Sequence, residues 1–160
     1  MYKRQNLHRV VIGDIDAKTA QTFVPYGLDN SSFPEDLWQW LETTAESTGG
    51  TFLAIPHNSN ISKGVMFDMT SLRGEKIDAQ YAELRRYWEP IVEITQIKGD
   101  SEAHSSLSPD DPFADFETYP FYIQSRWTEY KPQPGDYVRS ALRRGLSLEA
   151  DLGVNPYQFG

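Results

Sequence analysis

Two amphipathic stretches, each closed by a helix stop and followed within a few residues by a short apolar run, place the strongest constraint on how this chain can fold. The first, 34–48, carries Leu37, Trp38, Leu41 and Ala45 at helical spacing, with Trp40 at the margin, and Gly49-Gly50 ends it. Ser32-Phe33-Pro34-Glu35 ahead of it has the Ser-x-x-Glu spacing of a capping box. Thr51 to Ile55 is then nearly continuous in apolar residues and too short for a helix, as expected of a strand covered on both faces of a parallel sheet. In the second stretch Asp78 can cap a helix bearing Tyr81, Ala82, Leu84 and Trp88, with Arg85 and Arg86 towards solvent, until Pro90 forces a stop. "IVEITQI", 91–97, reads as the next strand. Helix, strand, helix, strand with tight connections predicts right-handed crossovers and a parallel α/β sheet.

The flanks extend this pattern. Leu7 to Ile12 is rich in Val and Ile and stops at Gly13-Asp14, as a strand entering a turn would. Residues 99–134 are polar and proline-marked, with one short helix expected near 112–117. A last helix runs from an Asp136 cap to about Leu152, with Val138, Ala141, Leu142, Leu146 and Ala150 inward and Gly153 as the stop. No strand follows that helix, so the expectation is a single partial domain over 1–160, a fragment cut at both ends.

Charge and composition narrow the partners. Fifteen basic against 23 acidic residues give a net charge of −8, which opposes attraction to nucleic acid or an anionic membrane. No apolar run approaches the roughly 18 residues of a membrane span, and no signal peptide is visible. Without cysteine there is no thiol nucleophile and no cysteine-held zinc, which leaves His, Asp, Glu, Asn and water as metal donors. Gly-x-Ser-x-Gly, Gly-x-x-x-x-Gly-Lys, Gly-x-Gly-x-x-Gly and His-Glu-x-x-His are all absent from the sequence.

Chemistry is expected beyond strand ends, where loops and helix amino ends meet. His57, Asn58, Ser59 and Asn60 follow one strand, and Glu93, Gln96, Lys98 and His104 lie in or after the next. A neutral imidazole is a common metal ligand, and a carboxylate inside an apolar strand needs a partner or a metal. His57, His104 and Glu93 together therefore suggest a hard or borderline divalent ion. The alternatives stay open: His57 satisfied by backbone, His104 an ordinary loop residue, His8 merely packed, and Glu93 paired with an arginine.

"NLHRVVI", "LAIPHNSN", "EPIVEITQIKGDSEAH", "FADFE" and "YVRSALRRGLSLEADLGVNPYQFG" resemble consecutive blocks of the family catalogued as domain of unknown function 3604. By its motifs that family resembles the polymerase-and-histidinol-phosphatase (PHP) superfamily of metal-dependent phosphoesterases. The resemblance implies a distorted, TIM-type β/α barrel of parallel strands and crossover helices, here truncated at both ends, around divalent metals such as Mn, Zn or Fe. It also implies His57 as a metal ligand in "PHNSN", Glu93 lining the site as its catalytic carboxylate, and His8 and His104 as further ligands. The superfamily's His-x-His and Asp-x-His pairs are absent, so an incomplete metal site and little hydrolysis by this chain alone are expected.

Two functions follow from these residues. The first is a metal-dependent hydrolase of small-molecule phosphoesters, in which Asn58, Ser59, Asn60 and Lys98 contact the substrate. The second is a non-catalytic small-ligand or carbohydrate-binding module that uses the aromatic loop 113–134, with Phe121, Tyr122, Trp127 and Tyr130 exposed. Convergence of His57, His104 and Glu93 would favour the first, and an aromatic-lined groove the second.

Overall fold

The structure, a computed structural model, describes residues 7–123 and 125–159. Its element order begins with β1 (Arg9–Asp14), a single-turn helix α1 (Ala17–Ala20), α2 (Pro34–Thr48) and β2 (Thr51–Pro56). The apolar run 51–55 does become a strand, but its partner β1 runs the other way, in unbroken register from Arg9 opposite Pro56 to Asp14 opposite Thr51. Burial alternates along β2: Phe52, Ala54 and Pro56 face the interior, while Thr51, Leu53 and Ile55 do not. One face of this ribbon is therefore covered, and the two-sided burial expected of a parallel strand is absent.

Helix α2 has the bounds that its periodicity predicts, and Gly49 closes it in the left-handed conformation at φ +69°. Its start differs from the expected capping box. Proline in the first turn fixes the entry, and the local bonding falls to Ser31, whose hydroxyl accepts from the Phe33 amide (3.1 Å) and donates to Asp36 (2.6 Å). Trp38 and Leu41 pack with Phe52, Ala54 and Trp88 into one core cluster, and Trp40 lies at its margin.

Helix α3 (Ala79–Trp88) starts where Asp78 accepts from the Tyr81 amide at 2.8 Å and ends ahead of Pro90. Arg85 does not face solvent as expected. It is buried, donating to Glu89 (3.1 Å) and to the Met66 carbonyl (2.7 Å). Glu89 also accepts from Arg9 of β1 (2.8 Å) and from the Trp38 indole of α2 (3.0 Å), so one carboxylate ties three elements together. Burial alone would push its pKa up, but the charges of Arg9 and Arg85 and the Arg9 and Trp38 hydrogen bonds hold it below the ordinary value.

Residues 91–97 do not form the predicted strand. The Glu93 amide reaches the Pro56 carbonyl at 3.3 Å, and the chain then folds back as a short hairpin of β3 (Thr95–Gln96) and β4 (Gly99–Asp100). Gly99 makes this turn possible: its φ is +92°, and a Cβ there would stand 2.5 Å from the Glu117 carbonyl and 2.9 Å from the Tyr119 nitrogen. Residues 112–117 are turns rather than a helix, and β5 (Phe121–Tyr122) pairs irregularly with β6 (Ser125–Glu129). Among the described residues every strand pairing is antiparallel and confined to two-stranded sheets. This corrects the expected parallel sheet and the TIM-type, PHP-like barrel. The physical reason is that the third apolar run turns back at Ile97-Lys98 before it can extend the ladder.

Helix α4 (Val138–Leu152) ends at Gly153 as expected, but Tyr137 occupies its cap position and Asp136 is buried instead. Its buried stripe is Val138, Ala141, Gly145 and Leu148, whereas Leu142, Leu146 and Ala150 are exposed. The stripe turns because residues 154–159 fold back on the helix. Asn155 sits so close to Gly145 that a Cβ there would meet its Oδ1 at 2.1 Å. Tyr157 is fully buried beside Met66, Phe67, Ala82, Ala141 and Leu148 in a second core cluster, and its hydroxyl donates to the Asp68 carbonyl. No helix of the described residues is long and apolar enough to cross a membrane.

Candidate functional site

The site lies where β2 runs out. The His57 amide donates to the His8 carbonyl at 3.0 Å, prolonging the β1/β2 ladder by one rung, while the Glu93 amide holds Pro56. These backbone bonds set the Glu93 side chain against His57, with Oε2 2.5 Å from Nδ1, and its other oxygen accepts from the Asn58 amide at 3.3 Å. A carboxylate oxygen facing Nδ1 accepts from it, so the ring places an N–H there and turns Nε2 away from Glu93. Both side chains remain partly open to solvent.

Asn58 follows in the left-handed region at φ +56°, which Asn tolerates better than bulkier residues, and leads into the 3₁₀ turn Ser59–Ile61. Its buried Oδ1 accepts from Gln96 Nε2 and from the Lys98 ammonium (3.2 Å), which also lies 3.5 Å from Gln96 Oε1. Asn60 Nδ2 donates to the Lys98 carbonyl at 2.9 Å, and its amide reaches Ser101 Oγ at 3.4 Å. Asn58 and Asn60 thus grip the β3/β4 turn from both ends of Lys98, and they hold the lysine in place more than they offer themselves to a ligand. Ser59 Oγ and Asn60 Oδ1 are buried without a hydrogen-bond partner among the described residues.

The other histidines differ in placement. His8 opens β1 beside this cluster; partial desolvation, then the charges of His57, Lys98 and Arg9, lower its pKa and favour the neutral ring. His104 does not join Glu93 and His57. It pairs through Nδ1 with Ser106 Oγ at 2.9 Å, its ring lies 5.6 Å from that of Tyr137, and burial lowers its pKa.

A neutral imidazole whose Nδ1 is fixed by a carboxylate is how proteins prepare a metal-ligating histidine. His57 thus has the chemistry of one imidazole ligand to a divalent ion. Among the described residues no three of His, Asp and Glu gather as a ligand group.

Beyond Lys98 the surface changes character. An open cleft of about 590 Å³ is lined by Ile97, Lys98, Tyr119, Phe121, Tyr122 and Trp127 among others. Phe121 and Trp127 meet edge to face at 5.8 Å, as do Tyr119 and Phe121 at 6.5 Å. Trp127 is 83% exposed and Ile97 97%, whereas Tyr130, expected to be exposed, is 4% exposed and bonds through its hydroxyl to Asp136.

Glu93, Asn58, Asn60, Lys98 and His57 are brought together from positions that the sequence singles out. The part of Gln96 in holding Asn58, and of Ile97 and Tyr119 in the cleft, was not foreseen. An exposed isoleucine beside Lys98-Gly99 was the available signal for the cleft wall. Comparison with curated proteins and with solved structures returns no match. The matching family model spans residues 1–160, and the chain belongs to the family described as Protein of unknown function (DUF3604).

Proposed function

We propose that the chain carries the metal- and anion-binding part of a divalent-metal-dependent hydrolase acting on small-molecule phosphoesters. The observation that carries this reading is the 2.5 Å bond between Glu93 and His57 Nδ1, which leaves Nε2 as a fixed donor at a partly open strand end. His57 would hold the ion (Mn, Zn or Fe), with His8 beside it and Glu93 orienting the ring; His104 lies apart and is the weaker candidate. Such an ion, when bound, lowers the pKa of its water and polarises the phosphoryl group. Lys98, pinned by Asn58 and Gln96, sets its ammonium at the same edge for the anionic ester. In the overall reaction the water oxygen bonds to phosphorus, the ester oxygen leaves, and the water proton goes to the departing alcohol. The net charge of −8 disfavours a polynucleotide as the ester.

The aromatic cleft supports a second reading, a non-catalytic module that binds a small ligand or carbohydrate. Calorimetric titration with Mn²⁺ and Zn²⁺ separates the two. Wild type is expected to bind one of these ions, His57→Ala to lose binding, and Glu93→Gln to weaken it about 10–100-fold. Because the paired ligand motifs are absent from the sequence, slow turnover is expected, and metal affinity is the primary readout. No metal binding by wild type, or binding indifferent to His57→Ala, refutes the hydrolase reading.

A further inference from the structure

We propose that the cleft beside Lys98 seats an aromatic group of the substrate, so that the preferred substrates are aryl phosphoesters with the phosphoryl group at Lys98 and the aryl group among Tyr119, Phe121 and Trp127. This inference rests on the hydrolase reading for the chemistry, but its geometry is independent of the metal. Lys98 belongs to both surfaces: its ammonium is held at 3.2 Å by Asn58, and it lines the cleft. The ammonium has three hydrogens, and two contacts to Asn58 and Gln96 leave one for an anion.

Among the described lining residues the rest are aliphatic and aromatic and none is a carboxylate; Lys98 supplies a cation there, and the Lys63 ammonium lies 5.5 Å from the centre of the Tyr122 ring. A ligand matched to this lining is planar and apolar at one end and negative at the other. A neutral sugar fits less well, since it brings no negative charge to Lys98. The volume lies within the roughly 300–1,000 Å³ of small-molecule sites.

The cleft is also built to be in place before the ligand arrives. The turn at Ile97-Lys98 is locked against residues 117–119 by the close approach of Gly99, and the Asp100 amide donates to the Glu117 carbonyl at 2.9 Å. Trp127 adopts φ +74°, a backbone region that bulky residues rarely enter, within an irregularly paired hairpin. Such strain concentrates at ligand sites, and here it accompanies the most exposed indole on the cleft wall.

In the reaction the water oxygen bonds to phosphorus, the bond from phosphorus to the aryl oxygen breaks, and the phenol leaves with the water proton. The test is calorimetric binding of 1-naphthyl phosphate, glycerol 2-phosphate and methyl glucoside to the 160-residue chain with Mn²⁺ present, together with turnover of both phosphates. Wild type is expected to bind naphthyl phosphate at least tenfold more tightly than glycerol phosphate. Trp127→Ala and Ile97→Ser, both at exposed positions with little burial to lose, bring that ratio to within about twofold, and Lys98→Met weakens both phosphates. An equal affinity for the two phosphates in wild type, a preference that survives both cleft variants, or tighter binding of the glucoside overturns the inference. Aryl preference with no Mn²⁺ binding leaves the subsite standing and counts against the hydrolase reading; His57-dependent Mn²⁺ binding without aryl preference does the reverse.

Discussion

Replacing Glu89 by Gln removes a negative charge from the one place where two buried guanidiniums depend on it. Arg9 and Glu89 have side chains 2% and 0% exposed, and Arg85 is 3% exposed, so water cannot take over. A glutamine keeps the shape but turns one of its two acceptors into a donor facing Arg9 or Arg85. The contacts at stake are Arg9 Nε at 2.8 Å, Arg85 Nη2 at 3.1 Å and Trp38 Nε1 at 3.0 Å. Charged hydrogen bonds contribute about 1.5–3 kcal/mol each, and breaking a buried ion pair costs about 3–5 kcal/mol, so Glu89→Gln should cost about 3–5 kcal/mol. The cost stays below the sum of the lost bonds because Arg9 keeps the Leu7 carbonyl and Arg85 keeps that of Met66. For a chain of this size that lowers Tm by about 6–20 °C. Urea denaturation followed by circular dichroism measures it, with Glu83→Gln as the control. The Glu83–Arg86 pair is exposed, and its loss should change stability by less than about 1 kcal/mol. Because the folded pKa of Glu89 is lowered, its contribution is present above the unfolded carboxyl value and fades as pH falls through the folded one. A Glu89→Gln variant within about 1 kcal/mol of wild type at pH 7 would refute the argument that this carboxylate holds β1, α2 and α3 together.

Further outcomes follow from the same geometry. Burial pushes Asp136 up to about 6, against the pull of the Gly64 and Gln133 amides and the Tyr130 and Ser62 hydroxyls. The folded chain then holds a proton that the unfolded chain has released, so wild-type stability should fall by up to about 3 kcal/mol as pH rises from about 4 to about 6, and Asp136→Asn should remove that slope; parallel curves in denaturation across this range would contradict it. Leu148→Ala should cost about 2–4 kcal/mol, whereas Leu146→Ala, at a position 64% exposed, should stay within about 0.5 kcal/mol, and the reverse order in urea midpoints would restore the inward face predicted from sequence. Gly99→Ala should cost about 1–3 kcal/mol from backbone strain alone and weaken naphthyl phosphate binding by shifting the Lys98 turn, so an unchanged affinity would argue against a preformed cleft.

The side-chain cluster at the end of β2 was more legible than the strand directions. His57, Asn58, Glu93 and Lys98 stand out in the sequence because polar residues at the ends of short apolar runs have few structural reasons to be there, and the fold brings these four together. His104 lies in an equally polar loop, but a local pairing with Ser106 satisfies it, and nothing in its spacing distinguishes the two cases. Arg85 shows the same limit from the other side. Its position on α3 reads as solvent-facing until Glu89 and Tyr157, the latter from the far end of the chain, enclose it.

Local pattern was enough to bound α2 and α3 and to end α4, because 3.6-residue periodicity, Asp78, Pro90, Gly49 and Gly153 act within a few residues of where they stand; it misplaced the start of α4, where Tyr137 takes the cap expected of Asp136. Long-range packing made β1 and β2 antiparallel, turned 91–97 back at Lys98 instead of adding it to them, and put Leu148 rather than Leu146 into the core. Strand direction and helix facing depend on contacts between residues far apart in the chain, such as Arg9 with Glu89 and Gly145 with Asn155, and local pattern carries no record of them.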